Sequence, residues 1–350
     1  MHNRKTVALI GAGMVTKTHV LACLDARETI RLKAVVDSGS GRAKALAEEA
    51  ARLSGEAVAS HSSLDAVTAD KDIDFVIVTT PPNARAALIR PLAAAGKHIL
   101  LEKPVARNTK EAAEVVDICR RAGVTLGIVF QHRMRAASIK ARDIVESGVL
   151  GALGVCEISV PWWRPQAYYD EPGRGTLARD GGGVMISQAI HTIDLALNLA
   201  GAVSRVQALA ATTRFHRMET EDFVCAGLRF ANGAVGSLTA STASFPGAAE
   251  SITLHYDNAS LRLASGILQV DWRDGRSERF GEEASGTGGG ANPMAFTHQW
   301  HQGIIEDFAD ALNSGRAPAV TGEDALRSHR LIDAIINSAA NGKEVDVQDE

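Results

Sequence analysis

Short, continuous apolar runs alternate with stretches of helical spacing over the first third of the chain. Residues 6–10 form such a run, bounded by Gly11-Ala12-Gly13, and residues 14–24 place apolar side chains at helical intervals. A strand buried on both faces, a glycine turn and a helix together open a βαβ unit. The alternation predicts further strands at 32–36, 73–78, 98–101 and 124–130, with helices at 83–95 and 110–122. Pro81-Pro82 stand at a helix entrance, where a missing N–H costs little. Strands alternating with helices of about ten residues or more imply a parallel sheet with right-handed crossovers. After residue 204 the pattern changes to runs of about 7 to 12 residues separated by turns such as Ala231-Asn232-Gly233 and Asp257-Asn258. Those runs read as meandering antiparallel strands. Helical spacing returns at 300–313 and 324–337.

The expected fold class is therefore α/β, with a Rossmann dinucleotide-binding domain over residues 1–126 and a second domain over 127–350. The length of 350 residues agrees with more than one compact unit. No apolar run approaches the roughly 18 to 20 residues that span a bilayer. Residues 1–5 lead at once into a strand, without the apolar core of a signal peptide. Cys23, Cys119, Cys156 and Cys225 show no CxxC or other metal spacing and read as buried thiols in a reducing compartment. The net charge of -4 is unclustered. A cytoplasmic protein without nucleic-acid or membrane partners is expected.

Gly11 permits a tight turn and Gly13 lets backbone approach a pyrophosphate. Met14 and Val15 open the helix whose free N–H groups face that anion. Thr16 occupies the third position of the GxGxxG pattern, so the motif is imperfect. Asp37 ends the second strand about 20 residues beyond the glycines, where a carboxylate binds ribose hydroxyls and repels a 2′-phosphate. NAD is thus the expected cofactor. Ser38 and Arg42 keep NADP open, because a nearby Arg accommodates the phosphate. The strands end in polar turns at 11–16, 37–38, 79–83 and 102–104, which places Thr80, Pro81 and Asn83 beside the cofactor as well.

The stretch Ala95-Gly96-Lys97-His98-Ile99-Leu100-Leu101-Glu102-Lys103-Pro104 resembles the AGKHVxxEKP signature of the glucose–fructose oxidoreductase/inositol dehydrogenase/rhizopine catabolism (Gfo/Idh/MocA) family. Thr80-Pro81-Pro82-Asn83 resembles its TPPxxH turn, with Arg85 where His is usual. Residues 181–194, Gly181-Gly182-Gly183 through His191 to Asp194, resemble its GGGxLxDxGxHxxD segment, and residues 308–325 fit its tail. The resemblance implies a C-terminal α/β domain with an open, mostly antiparallel sheet whose exposed face builds homodimers or homotetramers. It implies an NAD(P)-dependent oxidoreductase acting on a CH–OH group of a sugar, sugar acid, cyclitol or nucleotide-sugar. It also places Lys103 beside the nicotinamide and the reacting hydroxyl, with Glu102 orienting Lys103 or the ribose.

His191 is the expected acid/base, since it titrates in the range that hydroxyl deprotonation needs. Residues 184–200 read as one helix ended by Gly201, and at about 100° per residue Ser187, His191 and Asp194 share one polar stripe. Asp194 is then placed to hold the imidazole tautomer. The family often has Asp where this chain has Ser187. Loss of that charge favours an anionic substrate. Gln188 is expected at the substrate, Gln131 at the cofactor amide or substrate, and Arg133 on a carboxylate or phosphate. Trp163, Arg164 and Tyr168, within Pro161-Trp162-Trp163-Arg164-Pro165-Gln166-Ala167-Tyr168-Tyr169-Asp170, read as a sugar-binding wall or an interface. Residues 281–293 read as a glycine-rich loop. His298 and His301 show no carboxylate or Cys partner, so no metal is expected. Two alternatives of the same fold stand beside the dehydrogenase: an NAD-dependent glycosidase, and a dinucleotide-binding regulator without catalysis.

Overall fold

The computed structural model describes residues 4–39, 41–282 and 296–347; residues 283–293 of the glycine-rich stretch lie outside them. The first sheet comprises β1 (Lys5–Ile10), β2 (Ile30–Val36), β3 (Ala59–His61), β4 (Phe75–Val78), β5 (His98–Glu102) and β6 (Leu126–Val129). All its pairings are parallel, in the order β3-β2-β1-β4-β5-β6. The strand order reverses beside β1, and ligands of such sheets bind past the carboxyl ends at that point. β4 and β6 are buried at every position, as continuous Val/Ile/Leu runs require. The intervening helices are α1 (Thr16–Asp25), α2 (Arg42–Ser54), α3 (Asp65–Ala69), α4 (Arg85–Ala94) and α5 (Thr109–Ala122).

The second sheet holds β7 (Leu153–Pro161), β8 (Val203–Ala211), β9 (Phe223–Phe230), β10 (Val235–Ser241), β11 (Ser251–Tyr256), β12 (Ala259–Ala264), β13 (Ile267–Trp272), β14 (Ser277–Phe280) and β15 (Val345–Asp346). It is antiparallel except where β10 pairs with β7. Alternation of buried and exposed residues, as in β9, leaves one face covered and the other open. The helices that follow α5 are α6 (Ala136–Glu146), α7 (Gln166–Tyr169), α8 (Ile190–Ala200), α9 (Gln299–Ser314) and α10 (Gly322–Asn341).

The chain divides into two compact units. The first takes in residues 1–106, 110–131 and 298–325; the second takes in 107–109, 132–297 and 326–350. The first unit thus draws on α9, far beyond residue 126. The reason is local: Phe308 of α9 lies so close over Gly127 that a Cβ there would approach its ring to 2.6 Å, and it meets Phe75 edge-on at 5.2 Å.

Two expectations change. The predicted helix over 184–200 begins as a π-turn at Met185–Ala189 and becomes α-helical only at Ile190. Hydrophobic spacing does not distinguish the two, and π-turns concentrate at functional sites. Cys23, Cys119 and Cys156 are buried, and burial pushes each thiol up to about 12. Cys225 is exposed, because it falls on the open side of β9. One thiol per chain is therefore expected to react rapidly with a thiol-specific disulfide reagent in the native protein, and Cys225→Ser should abolish that phase. Among the described residues, no helix is long and apolar enough to cross a membrane.

Candidate active site

The glycine turn is built against the end of β4. Gly11 has φ of 103°, in the left-handed region, and a Cβ there would come within 2.8 Å of Thr79 Oγ1. Over Gly13 a Cβ would meet nothing within 4 Å, so the backbone is open to a ligand. Thr16 replaces the third glycine with a fully buried hydroxyl that donates to the Gly11 carbonyl at 3.2 Å and bonds Thr79 Oγ1 at 2.9 Å. The imperfect motif is therefore stitched rather than loosened. Met14 is exposed and Val15 half-buried at the start of α1. Asp37 Oδ1 accepts the Ala12 N–H at 3.4 Å and its Oδ2 faces Arg42 at 3.3 Å, with Ser38 exposed beside them. At the end of β4, Thr80 keeps a buried hydroxyl with no hydrogen-bond partner, while Pro81 and Asn83 are exposed. Gln131 is buried, and its side-chain oxygen accepts no hydrogen bond. A left-handed glycine, open backbone, a helix N-terminus and a strand-end carboxylate fit a dinucleotide.

Lys103, half-buried after β5, rests on a supported backbone. Glu102 Oε2 accepts the Lys103 N–H at 3.0 Å. Glu102 Oε1 bonds His19 Nε2 at 2.8 Å and lies 3.6 Å from His301 Nε2. Burial pushes the Glu102 carboxyl up, but the hydrogen bonds of His19 and His301 outweigh it and hold it well below the usual carboxylate range. Burial lowers His301 despite its Glu102 partner. His298 bonds Asp25, whereas His301 faces Glu102. It belongs to a buried His19-Glu102-His301 group whose potential ligand atoms lie within 4.8 Å of one another, a carboxylate partner that sequence spacing does not show. Arg85, in the place of the family's His, is buried and donates to the carbonyls of Thr80, Glu102 and Lys103. Burial lowers its guanidinium to about 9, against the opposing charge of Glu102.

In the second unit, the triple glycine passes through tight backbone. A Cβ on Gly181 would meet the Arg107 carbonyl at 2.2 Å, and one on Gly183 would meet the Glu221 carbonyl at 1.8 Å. The Glu221 carboxylate accepts the N–H groups of Gly183 and Met185 at 3.0 and 3.1 Å, which fixes the start of the π-turn. Burial raises Glu221 despite those bonds. Ser187 donates to the Gly183 carbonyl. Gln188 is 4 % exposed, yet neither its Nε2 nor its Oε1 has a hydrogen-bond partner. His191 is buried and stacks on His132, with ring centroids 4.8 Å apart and planes 23° from parallel.

Arg133 and Asp194, expected on a substrate anion and on the His191 ring, meet one another. Arg133 Nε and Nη2 donate to the two Asp194 oxygens at 2.7 and 2.6 Å, both groups being buried. The bidentate carboxylate predicted for Arg133 is the chain's own, and the carboxylate predicted to hold His191 is engaged by Arg133.

The aromatic stretch forms a corner around Arg164. That residue is only 2 % exposed; it donates to the Trp163 carbonyl at 2.8 Å and lies over the rings of Trp162 and Tyr168 at 5.3 and 5.7 Å. Burial lowers its guanidinium. It is thus the buried hub of this corner. Trp162 Nε1 donates to Glu250 Oε2 at 3.3 Å, and Tyr169 bonds Thr242 at 2.6 Å. His216 bridges Asp222 and the Arg164 carbonyl at 2.6 and 2.8 Å. Trp163 and Tyr168 are half-buried. Trp163 meets Phe245 edge-on at 5.4 Å, and Phe245 is 78 % exposed. Sequence reading missed Phe245 and His216, since nothing in their local patterns ties them to residues 162–169.

Residues 5–130 match the family model described as oxidoreductase family, NAD-binding Rossmann fold, and residues 138–262 match the GFO/IDH/MocA C-terminal domain. Levoglucosan dehydrogenase of Pseudarthrobacter phenanthrenivorans is 27% identical over 97% of this chain and 97% of its own length. The structure of a levoglucosan dehydrogenase with NADH and levoglucosan superimposes with a TM-score of 0.85 at 25% identity, covering 99% of this chain and 100% of that one. The WlbA dehydrogenase from Bordetella pertussis, solved with NADH and UDP-GlcNAcA, gives a TM-score of 0.81 at 26% identity over 99% of this chain and 100% of its own. With matching family models in both halves and the dinucleotide turn they presuppose in place, the chain belongs to the Gfo/Idh/MocA family of NAD-binding oxidoreductases.

Proposed function

We propose that this protein interconverts a secondary alcohol and a ketone on a sugar, sugar acid, cyclitol or nucleotide-sugar. The observation that carries the reading is Gln188. A buried amide with no partner costs about 1–3 kcal/mol, and this one lies three residues before His191 on the same helical segment. A polar, ring-hydroxyl ligand is what would satisfy it. The relatives that act on or bind sugar derivatives support the same substrate class.

When bound, NAD supplies the hydride chemistry at its nicotinamide. His191 takes the hydroxyl proton during oxidation and returns it during reduction. Lys103 donates a hydrogen bond to the reacting oxygen. Gln188 and Ser187 orient the ring, and Trp163, Tyr168 and Phe245 offer aromatic faces to its C–H surface. Residues 1–126 are assigned to the cofactor and 127–350 to the substrate. Self-association through the open face of the second sheet is part of the same reading, tested by light scattering.

The test is a panel of sugars, inositols, sugar acids and UDP-sugars, read by NADH absorbance. Stoichiometric NADH with one class is expected. Tight NAD binding with no turnover on the whole panel would favour a regulator, and product release without net NADH would favour a glycosidase. For the cofactor, Asp37→Ala should raise the KM for NAD about tenfold or more while leaving that for NADP nearly unchanged or lower, since ribose hydrogen bonds to a charged group are worth about 1.5–3 kcal/mol. Initial-rate measurements with both cofactors check this.

A further inference from the structure

His132 lies between Gln131 and Arg133, and its ring is face to face with that of His191. Its Nε2 is 2.7 Å from Arg135 Nη2. A guanidinium has no acceptor, so Arg135 donates and His132 Nε2 must offer its lone pair. The ring proton then sits on Nδ1, 4.0 Å from Glu250 Oε1. Glu250 in turn accepts Arg135 Nη1 at 2.6 Å and Trp162 Nε1 at 3.3 Å. Among the titratable and charged groups facing His132 are Arg135 just before α6, Glu250 just before β11 and His191 on α8. One turn further along α8 is Asp194, paired with Arg133. A second proton on His132 would set N–H against the Arg135 N–H, so the arrangement keeps this ring neutral.

We propose that His132 is a positioning residue for His191: a neutral aromatic platform that fixes the imidazole plane and stabilises the imidazolium formed when His191 takes the substrate proton. The inference rests on reading His191 as the acid/base. A cation against a neutral ring face is favoured when desolvated, whereas a charged neighbour would repel it. The same network ties the platform to Trp162, and so joins the acid/base to the aromatic corner.

Two substitutions separate the ring from its hydrogen bond. His132→Phe keeps a flat neutral face and loses the acceptor; His132→Gln keeps an acceptor for Arg135 and loses the face. The Phe variant should stay within about threefold of wild-type kcat with the acid limb of its oxidation profile unmoved. The Gln variant should lose about tenfold in kcat with little change in KM, and its acid limb should move to lower pH by about one unit, the shift that corresponds to tenfold. A Gln variant equal to or better than Phe overturns the proposal. His191→Ala is run alongside: wild-type turnover there would refute the acid/base reading, whereas an inactive His191→Ala with indifferent His132 variants would refute only the platform. The unsubstituted protein gives a second readout that needs no variant to fold. In ring-labelled protein, the His132 resonance should stay constant between about pH 5 and 8, the range in which an ordinary imidazole titrates. A titrating His132 overturns the proposal.

Discussion

Lys103→Met should lower kcat by about 10²- to 10⁴-fold, the range associated with losing a positioned proton-handling group, while leaving NAD affinity and the melting temperature close to wild type. The expected selectivity follows from how the residue is held. Its backbone N–H is fixed by Glu102, and its carbonyl by Arg85. Glu102 is fixed in turn by His19. None of those bonds uses the Lys103 side chain, so each of them can persist once the ammonium is removed. Single-turnover measurement of NADH formation reads the chemical step directly. His191→Ala should fall in the same range, and the double variant should be little worse than either single one, because residues acting on one proton are not additive. Wild-type turnover by Lys103→Met would sink the assignment.

Legibility in the sequence followed the range of the interactions. β1, β4, β5 and β6 announce themselves as apolar runs because nearly every position is buried, and β2 does so only at its end, Ala34–Val36, beyond exposed Arg31 and half-buried Lys33. β3 spans three residues with no buried position, and carries no such signal. The glycine turn and Asp37 were readable because their chemistry is local. Partnerships across the chain were not. Arg133 and Asp194 are separated by 61 positions, and His19 and Glu102 by 83. A charged residue in a sequence shows that it wants a counter-charge, but not which one it finds. Arg85 is a sharper case: a departure from the family turn became a buried clamp on two carbonyls around Lys103. The π-turn escaped for a different reason, since its residues are apolar in the same order an α-helix would require. Ser187 and Gln188 were rightly placed on the helix that bears His191, yet the spacing assumed for their faces was that of a regular α-helix.

The second large effect is expected at the Arg133–Asp194 pair. Removing one partner of a buried ion pair strands the other charge, which costs about 3–5 kcal/mol. Arg133→Met should therefore destabilise the protein by that amount, and a loss of this size should lower the melting temperature by roughly 10 °C. Arg133→Lys should recover only part of the loss, since an ammonium cannot satisfy both Asp194 oxygens in the fork geometry. Arg133→Met combined with Asp194→Leu should be more stable than Arg133→Met alone, because no charge is then left without a partner. Denaturant titration of the wild type, Arg133→Met, Asp194→Leu and the double variant gives the coupling energy as a double-mutant cycle. The experiment also decides between the two roles of Arg133. If the pair is structural, stability falls and the KM for neutral and anionic substrates changes in parallel. If Arg133 instead anchors a substrate anion, stability stays near wild type and KM rises selectively for sugar acids and nucleotide-sugars. With Nε and Nη2 already on Asp194 at 2.7 and 2.6 Å, the first outcome is the expected one.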